Sequence, residues 1–209
     1  MKGTTKEKLT REFFARPTVE VAPDLLGMIL VRTLPGGEVL RAPIVEVEAY
    51  TQDDPACHAY RGVTERCRIM FGPPGFAYVY FIYGMYFCLN VVTEVDGTPG
   101  AVLIRALGTE GCDGPGKLCR QWDIDRSLNG TDFLDCNAPL HLEFGTKYGA
   151  EHISISERIG LNVATERQWR FFLTDHPHVS GKKSSRKQAS KRRVAKGVSQ
   201  VKTARLKTK

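Results

Sequence analysis

Two carboxylates and a phenol lie close together in residues 44–50, Ile-Val-Glu-Val-Glu-Ala-Tyr. Side chains of a β-strand alternate between two faces, so Glu46, Glu48 and Tyr50 share one face. A carboxylate beside an aromatic ring in a cleft can act as a general base. A solvent-facing strand with acidic spacers would have the same spacing, although the aromatic neighbour favours the cleft.

The most aromatic run of the chain, residues 75–90, contains four tyrosines. Its residues favour β-strands, and Gly84 predicts a tight turn between two strands with Tyr83 at the tip. A buried hairpin accounts for most of these side chains. It does not account for Tyr83 and Met85, because turn tips are usually exposed and polar. We therefore expect these two side chains to contact a partner.

His58 lies in a long segment without hydrophobic periodicity, residues 51–74, and long ordered loops tend to be functional. An imidazole here could be a general acid, a ligand contact or a hydrogen-bonding group that tethers the loop, and tethering is the simplest of the three. Arg61, Arg66 and Arg68 follow in the same loop. They could contact phosphates or pair with carboxylates of the protein itself.

Two further cations occupy informative positions. Arg105 interrupts an otherwise apolar strand, where a guanidinium is costly unless it meets a carboxylate, and Glu48 is the candidate partner. Lys117 ends a near match to the phosphate-binding loop G-x-x-x-x-G-K-[ST], but Leu118 replaces the hydroxyl residue that reaches magnesium. The sequence therefore does not predict a nucleoside triphosphatase. Lys117 remains a candidate contact for a backbone phosphate, or an ordinary exposed lysine at a helix start.

Hydrophobic patterns and turn residues predict short elements throughout the chain. Residues 120–150 are polar and are predicted to be a loop. The predicted strands are 28–34, 38–49, the two strands of the hairpin, 101–107 and 169–173, and the predicted helices are 10–14, 22–27 and one that begins near Lys117.

The length of 209 residues predicts one domain with a tail. The six cysteines contain no C-x-x-C pair, which is typical of reduced intracellular thiols and makes a zinc site unexpected. No apolar run approaches the ~20 residues of a membrane span, and the first residues have no signal-peptide core. We expect an intracellular protein, in the cytoplasm or nucleoid of a bacterium or in the nucleus of a eukaryote, with no membrane partner.

The positive charge is concentrated at the C-terminal end. The chain has 30 Lys and Arg, 23 Asp and Glu, and a net charge of +7. Residues 181–209 contain twelve of the basic residues and no acidic one, so the remainder carries 18 basic and 23 acidic residues. This composition predicts a disordered Lys/Arg-rich tail attracted to nucleic acid, with a targeting signal as the second interpretation and a tail without a specific partner as the third.

Taken together, these segments resemble the alkyladenine (3-methyladenine) DNA glycosylase family, in one order from about residue 9 to residue 180. The similarity is specific because the E-A-Y strand and the Y-V-Y-x-x-Y-G hairpin occur together at the family's spacing. The segments that carry it are residues 45–50, His58 with the arginines after it, and residues 78–90, 103–107, 114–119 and 158–160.

The resemblance implies an α+β fold: a single mixed domain, residues 1–180, on a curved antiparallel β-sheet with surrounding short helices. It also implies a monofunctional DNA glycosylase that flips damaged purines out of duplex DNA and hydrolyses the N-glycosidic bond, leaving an abasic site. Double-stranded DNA would be the partner of a monomeric enzyme without a cofactor or metal. Few lysines lie outside the tail, so no obvious active-site lysine is available to form a Schiff base. This favours water, rather than an amine, as the nucleophile.

The resemblance also implies roles for individual residues. Glu48 would be the general base that activates water, and Arg105 with the main chain of Ile159 would help to hold that water. If the partner is DNA, Met85 at the turn tip and Lys117 at the helix start are expected, from their own positions, to contact it.

The remaining roles concern the base and the duplex. Tyr50 and His58 would line the base pocket with Tyr80, and the two tyrosine rings would sandwich the flipped base. Asn90 would exclude a guanine amino group. Tyr83 would fill the hole left in the duplex.

The chain departs from the family at Cys67, where the family often has asparagine, which raises the question of how the loop after His58 is braced. Three other functions were considered. A zinc nucleobase deaminase needs H-x-E and P-C-x-x-C, and neither is present. A glycoside hydrolase could use Glu46 and Glu48, although neighbours on one strand lie side by side rather than across a bond. A non-catalytic lesion-binding or architectural protein would use Tyr83 alone as a wedge.

Overall fold

Eight antiparallel strands form one curled sheet in this protein, whose structure is a computed structural model that describes residues 8–181. The segment 182–209, most of the predicted tail, lies outside the described residues. The strands are β1 (Ile29–Thr33), β2 (Val39–Thr51), β3 (Ala77–Ile82), β4 (Tyr86–Thr93), β5 (Gly100–Leu107), β6 (Leu140–Glu143), β7 (Ile153–Ser156) and β8 (Arg170–Leu173). The helices α1 (Arg11–Phe14), α2 (Thr18–Asp24) and α3 (Pro115–Gln121) are short. The predicted α+β fold on a curved antiparallel sheet is therefore confirmed.

The long strand β2 joins the two parts of the sheet. The main strand order is β3-β4-β5-β2-β1-β6, and β8 pairs with both β2 and β7. The first part of β2 pairs with β1, and its second part lies between β5 and β8. A register shift near Glu46 marks a bulge between β2 and β5, which bends the strand. The residues that follow the bulge, including Glu48, are therefore at the centre of the sheet.

The structure corrects two sequence predictions. The segment 120–150 contains strand β6, because four residues pair with β1, a long-range contact that a polar local pattern does not indicate. The second helix covers Thr18–Asp24 rather than 22–27. Its start is fixed by the Glu94 carboxylate, which accepts hydrogen bonds from the Thr18 N–H at 2.5 Å and from the Thr18 hydroxyl at 2.6 Å. This cap comes from 76 residues away, so no local signal could reveal it.

The two faces of the sheet differ in character. Val45, Val47 and Ala49 of β2 are fully buried in the main hydrophobic core. The opposite face carries a smaller apolar cluster around Met70 and Tyr78. The predicted alternation of β2 is confirmed, but the acidic face is buried as well, so the solvent-facing interpretation of that face is wrong.

The predicted hairpin turn is confirmed between β3 and β4. Tyr83 and Gly84 both have positive φ, +54° and +69°, and the Met85 N–H donates to the Ile82 carbonyl at 3.3 Å, as in a type I′ turn. Tyr83 is 78% exposed and Met85 65% exposed. Two large apolar side chains therefore project from the tip into solvent. No helix within residues 8–181 is long and apolar enough to cross a membrane.

A buried carboxylate connects three strands with the end of the described chain. Glu46 on β2 is fully buried and accepts hydrogen bonds from Nε of Arg105 on β5, at 3.0 Å, and Nε of Arg170 on β8, at 2.7 Å. It also accepts bonds from the Ser180 N–H at 2.6 Å and the Ser180 hydroxyl at 2.7 Å. Removing one partner of a buried ion pair leaves uncompensated charge, so this cluster should contribute strongly to stability.

Replacing Glu46 by glutamine should therefore lower the free energy of unfolding by about 3 kcal/mol, because Arg105 and Arg170 would lose the carboxylate between them. Urea unfolding followed by tryptophan fluorescence measures the change. The control is Glu65→Gln, which removes the exposed ion pair with Arg68 and should leave the unfolding midpoint unchanged. Equal midpoints for the two variants would contradict a structural role of the Glu46 cluster.

Candidate functional site

A cavity of about 540 Å³ opens on the face of the sheet that carries Glu48. Alternate residues of four adjacent strands point toward it, as the two-residue period of a strand requires. Segments at the start of α3, in the loop after β7 and around His58 form the remaining walls. The strand residues that line it are Tyr50; Tyr78, Tyr80 and Ile82; Tyr86, Cys88 and Asn90; and Ala101, Leu103 and Arg105.

Glu48 lies directly behind the cavity wall and is fully buried. Its Oε1 accepts hydrogen bonds from the Ile159 N–H at 2.7 Å, and Nη1 of Arg105 lies 3.2 Å from the same oxygen. Its Oε2 accepts a bond from the Tyr50 hydroxyl at 2.8 Å. An ionised carboxylate has about four lone-pair sites, so three donors within the described residues leave one site on Oε2.

Arg105 connects the two carboxylates of β2, as the sequence predicts for Glu48. Its guanidinium meets Glu46 through Nε and Glu48 through Nη1, and Nη2 lies 3.4 Å from the Ser180 hydroxyl. Burial disfavours the charged form, but the Glu48 and Glu46 carboxylates hold the pKa of Arg105 above its usual value. The charge on Arg105 is therefore permanent, and it compensates both acids.

The aromatic walls of the cavity are electrically neutral. Burial raises the pKa of the Tyr50 hydroxyl, and the nearby Glu48 carboxylate raises it further. Burial also raises the pKa of Tyr80 and of Tyr78. The pKa of His58 is lowered to about 4 by burial and by the positive charge of Arg66. All these side chains are therefore uncharged at neutral pH.

The His58 imidazole is hydrogen-bonded through Nδ1 to the Tyr78 hydroxyl, at 2.8 Å, so it does tether its loop. Its ring also packs edge-on against Tyr80, with centroids 4.6 Å apart. The loop is braced by Cys67, whose buried Sγ lies 3.3 Å from the Thr64 N–H and 3.1 Å from the Thr64 hydroxyl. A cysteine thus provides the brace where the family often has asparagine.

The remaining predicted residues are at the floor and the rim. Asn90 is buried, lines the cavity and donates from Nδ2 to the Tyr78 carbonyl at 2.9 Å. Ile159 and Tyr83 line the cavity at its edge and are exposed. Lys117 also lines it and forms an exposed ion pair with Asp113 at 2.9 Å.

The predicted residues are thus gathered around one cavity, except for two that lie just outside it. Glu48 is behind the wall, and Met85 projects from the hairpin tip beside Tyr83. Tyr78 and Cys88 also line the cavity, although they were not among the predicted site residues. The same alternation that selected Tyr80 and Asn90 could have found them, because they lie two residues away on the same strands.

Some chemistries are favoured by this arrangement. A buried carboxylate with a free lone-pair site can accept a proton from water, and neutral aromatic walls can hold a planar group. Glu46 and Glu48 lie side by side on β2 and are bridged by Arg105, so they do not face each other across a bond as a pair of catalytic acids would. Within residues 8–181, no group of three or more His, Cys, Asp or Glu side chains is placed to hold a metal ion.

Comparisons with known proteins show the family to which the chain belongs. The family model described as methylpurine-DNA glycosylase (MPG) matches residues 12–111 and 108–177. Three similar proteins are each named "Putative 3-methyladenine DNA glycosylase". The protein of Trichodesmium erythraeum is 43% identical, over 83% of this chain and 98% of its own length. The protein of Methanocella arvoryzae is 48% identical, over 82% of this chain and 95% of its own length. The protein of Carboxydothermus hydrogenoformans is 46% identical, over 83% of this chain and 99% of its own length. The chain therefore belongs to the methylpurine-DNA glycosylase family and is a DNA glycosylase that acts on alkylated purines.

Proposed function

We propose that this protein flips a damaged purine out of duplex DNA into the cavity and hydrolyses its N-glycosidic bond with water, leaving an abasic site. The observation that carries the proposal is the arrangement of Glu48. Three donors hold the buried carboxylate in one orientation behind the cavity wall, with one lone-pair site left on Oε2. Glu48 is the general base, and Arg105 is the cation paired with it.

The reaction needs one proton acceptor and one nucleophile. Water held near Arg105 and the main chain of Ile159 transfers a proton to Glu48 while its oxygen attacks the sugar carbon C1′. The bond from C1′ to the base nitrogen breaks, and its electron pair leaves with the base. A positively charged alkylated purine departs as a neutral molecule, so it needs little help from an acid.

Base binding follows from the walls of the cavity. The rings of Tyr50 and Tyr80 hold the flipped base by stacking, and each stack contributes about 1–3 kcal/mol. Together they offset the few kcal/mol that unstacking a base from the duplex costs. The faces of neutral tyrosine rings are electron-rich and attract a cationic base. His58 contacts the edge of the base, and Asn90 occupies the place that a guanine amino group would need.

The exposed hairpin tip completes the proposal. Tyr83 enters the duplex and fills the space that the flipped base leaves, while Met85 packs beside it in the groove. Lys117 exchanges its exposed partner Asp113 for a backbone phosphate. The enzyme acts as a monomer, because one chain supplies every group that the reaction uses.

Replacing Glu48 by glutamine should slow single-turnover excision by a factor of about 10²–10⁴, because the amide cannot take a proton from water. The assay uses a labelled duplex with one hypoxanthine or one ethenoadenine, and hot alkali converts abasic sites to strand breaks. Breaks should appear only after alkali, and duplex binding should be retained by the variant. Binding without abasic product by the unaltered protein, on every damaged duplex tested, would instead favour a lesion-binding protein.

Replacing Tyr83 by alanine should weaken binding to a duplex with a flipped lesion about 10-fold, because the unstacked gap would stay empty. Excision from single-stranded DNA should be unchanged, since no gap forms there. The matched control is Val95→Ala, an exposed apolar side chain just beyond the far end of β4. Equal losses on single-stranded and duplex substrates would argue against a wedge.

Removing residues 182–209 should flatten the salt dependence of non-specific DNA binding, because twelve cations would be lost from a chain whose remainder is net acidic. Each neutralised phosphate contributes about 0.9 to the slope of log K against log salt. Single-turnover excision at saturating enzyme should be nearly unchanged. The control replaces the tail's Lys and Arg by Gln at constant length, and an unchanged slope for both variants would refute this role of the tail.

A further inference from the structure

Arg158 is a buried cation that the proposed reaction does not use. Its guanidinium and the Asp54 carboxylate are both fully shielded from solvent. Nη2 donates to Asp54 Oδ1 at 3.0 Å, and Nη1 donates to Asp54 Oδ2 and to the Ala49 carbonyl, the latter at 3.0 Å. The Ala164 carbonyl lies 3.4 Å from Nη2. The side chain thus ties the loop after β7 to the end of β2 and to the loop that follows it.

The guanidinium is stacked between two aromatic rings. Its central carbon lies 4.6 Å from the ring centroid of Tyr50 and 5.4 Å from that of Trp169. Tyr50 lines the cavity, whereas Arg158 does not, so Arg158 packs against the Tyr50 ring without lining the cavity. The Arg158 Nε is buried without a hydrogen-bond partner within the described residues. The guanidinium therefore stacks on the rings and binds Asp54 through both terminal nitrogens, while its Nε–H makes no hydrogen bond within the described residues.

The same residue is covalently joined to the group that holds Glu48. The Ile159 N–H that donates to Glu48 Oε1 belongs to the peptide bond between Arg158 and Ile159. A displacement of the Arg158 main chain therefore moves this N–H relative to the carboxylate. Arg158 is thus linked by stacking to Tyr50 and by one peptide bond to the donor for Glu48.

We propose that Arg158, fixed by Asp54, is a positioning residue that sets both the ring on which the base stacks and the amide that orients the general base. This inference rests on the proposed role of Glu48. One side chain aligns two functions that must act on the same nucleotide, and it does so without entering the cavity. A planar guanidinium is required, because lysine can keep the charge but can neither form the fork to Asp54 nor stack as a plane.

Arg158→Lys is therefore the first test. Single-turnover excision of hypoxanthine at saturating enzyme should fall at least 10-fold, at a temperature where circular dichroism shows the variant folded. The acidic limb of the pH–rate profile should move to higher pH, because ionised Glu48 would lose part of its hydrogen bond from the Ile159 N–H. Lysine preserves the positive charge near Glu48, so a shift cannot come from a lost charge. The other groups that face Glu48, Arg105, Tyr50 and Cys88, are unaltered.

Arg167→Lys is the matched control. Arg167 stacks on Trp169 at 4.4 Å and pairs with Asp53 at 3.1 Å, so it binds the same loop from the outside. It contacts neither Tyr50 nor Glu48, and its variant should excise at the wild-type rate with an unshifted pH profile. Equal losses in the two variants would mean that Arg158 merely stabilises the loop, and would overturn the proposal.

The double variant Asp54→Asn/Arg158→Met removes both buried charges at once, so the test remains possible if a lone buried charge prevents folding. It should fold and still excise at least 10-fold more slowly than the unaltered protein. A wild-type rate in either Arg158 variant, alongside a loss in Glu48→Gln, would overturn this inference and leave the proposed function intact. No excision by the unaltered protein would instead refute the proposed function itself.

Discussion

The site depends on the compensation of two carboxylates that are buried side by side on β2. Residues two apart on a strand are only ~7 Å apart, and burying two negative charges at that distance is unfavourable unless cations reach both. Arg105 reaches Glu46 and Glu48 from β5, and Arg170 reaches Glu46 from β8. The order β5-β2-β8 is therefore what allows the central strand to be acidic.

The two carboxylates have the same chemistry but different surroundings. Glu46 receives four donors, from two arginines and from both groups of Ser180, so it holds β5, β8 and the end of the described chain together. Glu48 receives three donors. The Ile159 amide and the Arg105 guanidinium contact Oε1, and the Tyr50 phenol contacts Oε2. The division between a structural acid and the proposed general base thus follows from their partners, since residue type cannot distinguish them.

The sequence could predict the parts of the site that depend on strand periodicity. Alternation placed Glu48 with Tyr50 on one face of β2 and Tyr80 with Tyr78 and Ile82 on one face of β3, and the glycine turn predicted the exposed tip. It could not predict the contacts made between distant segments. The Glu94 carboxylate caps α2, the Ser180 amide binds Glu46, and Asp54 binds Arg158, all across at least 76 residues. Local patterns carry no information about such pairs, because Glu94, Ser180 and Asp54 each look like an ordinary polar residue in a loop.

The neutrality of the aromatic walls explains how one pocket could hold a cationic base close to a buried carboxylate. The ionised forms of the tyrosines are suppressed by burial, and His58 remains uncharged because its pKa lies near 4. These aromatic side chains would therefore not repel a positively charged purine, and two cations that also line the cavity, Arg105 and Lys117, are paired with carboxylates. The charges of Glu46, Glu48, Arg105 and Arg170 balance, so the field of this group at the base comes from the arrangement of its charges rather than from a net charge. On the proposed mechanism, this arrangement favours the step in which positive charge moves from the base toward the sugar, because the free lone pair of Glu48 is on the oxygen that Arg105 does not contact.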